Sequence, residues 1–220
     1  MKDTTISGLR AVVVAIAPAV MLAGLVYHPF IANLTDTAAV AAAAGEDTFR
    51  WAVAHLLVGV GSGLLALAFL AVRAWLREAG EERFSAVAIP FVIMGATLYA
   101  ILPGMEFTVL AAVEIGADVA AAQAAIDAWF LPLLLSAAVI FAVGILGFAM
   151  AIARSGVLTP PLTALVAGAL VVMAVARFVP LGLVQFYVNG LAGILALWPL
   201  AYAMRTRAAT AAQPRAMQAD

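Results

Sequence analysis

The chain has 220 residues, 66% of them hydrophobic and only 10% charged, with a mean hydropathy of +1.13, against about 45–50% apolar and about 25% charged in soluble domains. That excludes a water-soluble globular fold. With a net charge of -1 and Lys2 as the single lysine it also excludes a nucleic-acid partner, and the lack of cysteine excludes disulfides, iron–sulfur clusters and thiolate chemistry.

Apolar stretches long enough to cross a bilayer run at about 10–32, 51–76, 86–110, 128–153, 160–179 and 183–204. They predict an all-α fold, a polytopic membrane bundle of six transmembrane helices. Residues 1–205 form a single transmembrane domain and 206–220 a disordered cytoplasmic tail. No small-residue cleavage pattern follows the first stretch closely, so it reads as a retained helix and not a signal peptide. An acidic, alanine-rich loop (Asn33 to Arg50) follows, then a charged turn (Arg77 to Arg83) read as solvated. Asp118 to Ile126 reads as a short surface helix capped by Asp118, and Thr159 before Pro160 and Pro161 as a helix start.

Basic residues are retained in the cytoplasm. With both termini inside, Lys2, Arg10, Arg73, Arg77, Arg83, Arg154, Arg205, Arg207 and Arg215 are cytoplasmic, and only Arg50 and Arg177 of the 11 basic residues lie outside. Trp51, Trp129, Tyr27 and Tyr187 then fall near the outer interface, with Trp75 and Tyr202 near the inner one. Gly63 through Arg73 aligns without gaps on Gly144 through Arg154, and Gly193 through Arg205 resembles both, which suggests a repeated hairpin. Gly59-Val60-Gly61-Ser62-Gly63 lies inside a helix and reads as small-residue packing, with Gly59 and Gly63 spaced for a close crossing.

An ionisable group inside a bilayer costs about 2.5–3.5 kcal/mol, so each one is a candidate for function or pairing. His28, His55, Glu106 and Arg177, together with Gln185, Tyr187 and Asn189, all fall in the outer leaflet, which predicts a polar cup open to the external face. Three uses of these residues are open. His28 and His55 could ligate a b-type haem, with Gly24 and Gly59 leaving room for the porphyrin and Arg177 meeting a propionate. His28, His55 and Glu106 could hold a metal ion. Glu106 and Arg177 could form an interhelical ion pair, or bind a ligand with Gln185, Tyr187 and Asn189.

No catalytic signature stands out. The favoured expectation is therefore a non-catalytic accessory subunit or small-molecule binder of the cell membrane. A haem or metal protein is the alternative, and a small transporter the second. Lipid is the expected surrounding, with a homo-oligomer or a larger membrane complex as partner.

Overall fold

The computed structural model describes residues 2–216. Within them the chain is helical apart from turns and one isolated β-bridge. The helices are α1 (Lys2–Tyr27), α2 (Thr37–Glu46), α3 (Thr48–Glu78), α4 (Arg83–Glu114), α5 (Val119–Ser155), α6 (Pro160–Ala176) and α7 (Asn189–Ala216), with a π-helical turn (Leu183–Val188) leading into α7. Five of these segments are long and apolar enough to cross a membrane: Ile6–Tyr27, Thr48–Glu78, Arg83–Glu114, Val119–Ser155 and Leu183–Arg207. The chain is a membrane protein. α6 is apolar but shorter, at 17 residues.

Helix ends follow local chemistry and shift several expected boundaries. α1 stops at Tyr27, short of residue 32, because His28 precedes Pro29 and the proline ring disfavours helical backbone in the residue before it. The Asn33 to Arg50 loop contains a helix of its own. Asp36 caps α2 by accepting from the Ala39 amide, and Asp47 caps α3 by accepting from the Arg50 amide. Asp118 is a cap as expected, accepting from Ala121, but the surface helix it was to begin is the opening of α5. Nothing between Ile126 and Trp129 breaks the helix, and α5 runs on for 37 residues. Glu81, in the turn read as solvated, is buried and accepts from the Phe84 and Ser85 amides at the start of α4. α7 continues to Ala216, into the tail read as disordered, through alanine-rich sequence that favours helix; residues 217–220 lie outside the described residues.

Packing is closest where glycine lets backbones touch. A Cβ on Gly95 of α4 would stand 2.7 Å from the Phe141 backbone of α5, and one on Gly144 would stand 2.7 Å from the Val92 amide. α1 and α3 meet the same way through Gly24, against Leu57 and Val58, and Gly61, against Met21. Gly59 and Gly63 both face open space, so the crossing glycine of that run is Gly61, the one between them. Gly63 and Gly144, aligned in the apparent repeat, thus have different surroundings.

At one end of the bundle α2 lies against α3, α4 and α5. Its Val40 and Ala44 pack in a small core with Ile31, Trp51 and Val109. The segment after α1 pairs with the reversal before α7: Leu34 donates to the Pro180 carbonyl and Gly182 donates to that of Ala32, each at 3.0 Å. At the opposite end Arg10 and Glu78 form an ion pair at 2.6 Å that ties α1 to α3. Beside Pro18, which interrupts the ladder of α1, the Trp198 indole donates to the Ala15 carbonyl across to α7.

Candidate functional site

His28 and His55 come together at the α2 end. Both are buried, and their ring centroids stand 5.0 Å apart with the planes inclined at 59°. Trp51, one turn before His55, lies 4.9 Å from the His28 ring and 4.6 Å from the His55 ring. Phe186, carried by the π-helical turn, covers His28 at 4.7 Å. Such turns are single-turn departures from regular helix that recur at functional sites.

Each imidazole is oriented by a backbone carbonyl: His28 Nδ1 is 2.7 Å from the Pro29 oxygen, and His55 Nδ1 is 2.7 Å from the Trp51 oxygen. A carbonyl can only accept, so each Nδ1 carries the proton and, in the neutral ring, each Nε2 presents a lone pair. Among the described residues neither Nε2 meets a donor. The Trp51 indole N–H beside them is buried without an acceptor. The cluster thus leaves two acceptors and one donor. Arg50 closes it from the side, donating from Nε to the Tyr27 carbonyl at 2.6 Å and from Nη2 to the His28 carbonyl at 3.4 Å, at the C-terminal end of α1 where a cation is favoured.

This geometry does not build the haem site. Two axial imidazoles about 2 Å from a central iron hold their centroids roughly 6 Å apart with the porphyrin plane between them. Here the rings touch at 5.0 Å, the space beside Gly24 is filled by Leu57 and Val58, and the aromatic faces of Trp51 and Phe186 close the flanks. Gly59 does face open space. Nor is the two-histidine, one-carboxylate set assembled: among the described residues no three His, Asp or Glu side chains are grouped to hold a metal ion.

Glu106 and Arg177 do not pair; Arg10 and Glu78 form the ion pair found among the described residues. The Arg177 guanidinium instead stands 4.3 Å from the centroid of the Tyr99 ring and 5.9 Å from that of Phe141. An aromatic face attracts a cation most when water is excluded. Arg177, buried Asn189 and Gly190 border a cavity of about 10 Å³, the space of one water. Arg177 Nε and Asn189 Oδ1 both lack protein partners, one a donor and the other an acceptor.

Glu106 turns to α5, where Gln123 and Asp127 lie beside it. Gln185 is structural: its amide donates to the Arg177 and Val179 carbonyls at 2.9 and 3.1 Å, satisfying groups freed where α6 ends. Tyr187 is half-buried, 6.3 Å from the Phe30 ring. The residues missed from the sequence are Trp51, Phe186, Gln123, Asp127 and Thr37. Trp51 was assigned to an interfacial belt, as was Trp75, yet they are only 2% and 5% exposed. Spacing did contain one signal, since Trp51 and His55 stand one helical turn apart on one face.

No known protein family, curated protein or solved structure matches the chain.

Proposed function

We infer that this chain is a non-catalytic binder or accessory subunit of the cell membrane, crossing it six times with both termini in the cytoplasm, and that a small molecule is held at the histidine cluster on its outer end. The observation that carries the reading is the polar set at that cluster: the Trp51 indole N–H, buried without an acceptor, against two buried imidazoles that are each oriented by a backbone carbonyl. A buried donor without a partner, such as that indole N–H, is costly. A small molecule carrying both donors and an acceptor satisfies all three. The distribution of basic residues supports the orientation, and α6 supports a sixth crossing because 17 residues reach the lower end of what spans a bilayer.

The test is native mass spectrometry of protein extracted gently from its own membrane, wild type beside the His28→Ala/His55→Ala double variant. The expected result is a bound mass on the wild type that the variant has lost. A wild type carrying nothing that the variant lacks overturns the reading. A visible spectrum and metal analysis of the same sample separate the alternatives, since a Soret band or stoichiometric metal would assign the cluster to redox or metal chemistry.

A further inference from the structure

A second polar region lies at the Arg10–Glu78 end of the bundle, opposite the histidine cluster. There a cavity of about 190 Å³ lies between the last turns of α3 and the start of α4, lined by Arg73, Arg77, Glu82, Ser85 and Ala86. It is far larger than the about 10–15 Å³ that one water needs. Arg77 and Glu82 are exposed, so the cavity is open on their side, whereas Ser85 is fully buried.

Arg73 and Arg77 stand four residues apart on one face of α3, where like charges repel. The acids of the adjoining turn do not compensate them. Glu78 is held by Arg10 at 2.6 Å, and Glu81 accepts from the Phe84 and Ser85 amides. Glu82 borders the cavity, yet among the described residues it lies outside ion-pair distance of either arginine. Two cations against one acid leave the cavity with one positive charge. Arg83 and Arg154, each 5.5 Å from the Phe84 ring centroid, add to the positive potential at this end. An arginine that only snorkels keeps its charged head in water. Arg73 does not, because its Nε is buried and meets no acceptor among the described residues.

We propose that this cavity binds the phosphodiester of an anionic membrane lipid, held by Arg73 and Arg77. A guanidinium presents paired N–H donors that match phosphate oxygens, and one phosphodiester neutralises the single positive charge. The depth also fits. α3 has 31 residues, about 46 Å of helix against a hydrocarbon core of about 30 Å, so a centred α3 extends about 8 Å past it on each side. Arg73 is five residues from the α3 end at Glu78, about 7.5 Å along the axis, which sets it at the boundary between headgroups and acyl chains. Basic pockets between helices at this level hold anionic headgroups. The site is remote from the histidine cluster and stands whether or not that cluster binds a ligand.

Native mass spectrometry of the full chain, delipidated in detergent and titrated with phosphatidylglycerol or with phosphatidylcholine of the same acyl chains, tests this. Phosphatidylglycerol should bind about tenfold more tightly than phosphatidylcholine, and about thirtyfold more weakly to Arg73→Gln/Arg77→Gln, which lacks two basic side chains at a lipid surface. Arg77 is exposed, so Arg77→Gln alone needs no repacking and should weaken binding about fivefold. Glu82→Gln removes a like charge and should tighten it. Arg205→Gln/Arg207→Gln takes the same charge from the same end outside the cavity, and should change affinity by less than about twofold. Equal losses in the two double variants, or equal binding of the two lipids, overturn the proposal, since either reduces it to diffuse surface charge or ordinary solvation by lipid. Tighter binding of phosphatidylethanolamine, lost in Glu82→Gln, overturns it in favour of a headgroup carrying an ammonium. Displacement of phosphatidylglycerol by an equal concentration of inorganic phosphate overturns it in favour of a soluble anion.

Discussion

The His28 ring stands 5.0 Å from the His55 ring although one follows the end of α1 and the other belongs to α3. Their contact exists because Gly24 and Gly61 let α1 and α3 approach to backbone distance, bringing equivalent levels of the two segments together. Trp51 touches both rings and reports on the pair.

Replacing His28 by alanine should remove ring contacts to Trp51, His55 and Phe186 and leave a cavity. The expected cost is about 2 kcal/mol in thermal or denaturant unfolding in detergent. Trp51 emission should shift with it, and the shift should disappear in a Trp51→Phe background. An unchanged spectrum would mean the rings do not touch.

The Arg177 guanidinium over Tyr99 is a cation held by an aromatic face and not by an acid. Tyr99→Phe keeps the face and should be nearly neutral, whereas Tyr99→Ala should destabilise. A double-mutant cycle of Arg177→Met with Tyr99→Ala should give a coupling of about 0.5–2 kcal/mol. The same cycle with Glu106→Gln in place of Tyr99→Ala should give no coupling.

Gly95 and Gly144 sit where a Cβ meets the backbone of the facing helix at 2.7 Å. Gly95→Ala and Gly144→Ala should each cost about 1–3 kcal/mol through forced separation of α4 and α5. Gly59→Ala and Gly63→Ala, facing open space, should be neutral or stabilising by up to about 1 kcal/mol, because alanine favours helix. Ranking the four variants by melting temperature checks the register of both crossings.

For the six-span topology with both termini inside, a cytoplasm-dependent reporter fused after Asp220 should be active, and one fused after Glu114 silent. The reverse pattern would place the histidine cluster on the cytoplasmic side.

Sequence by itself determined that the chain is helical and belongs in a membrane, because long apolar stretches can satisfy their backbone only as helices there. It also marked the caps at Asp118 and Thr159 and the polar groups His28, His55, Glu106 and Arg177, since a polar side chain in an apolar stretch is conspicuous. What it could not decide was which of these meet. Glu106 and Arg177 carry opposite charges and suggest a pair, but partnership depends on helix rotation and crossing, and these are set by where glycines permit close approach. Gly61 and Gly95 look like any other glycine in a chain holding 17 of them. Only the tertiary packing turned Arg177 to Tyr99 and Glu106 to Gln123, and brought Trp51 and Phe186 around the histidines. A side chain's partner is a property of two surfaces at once, and one strand of sequence carries each surface without the angle between them.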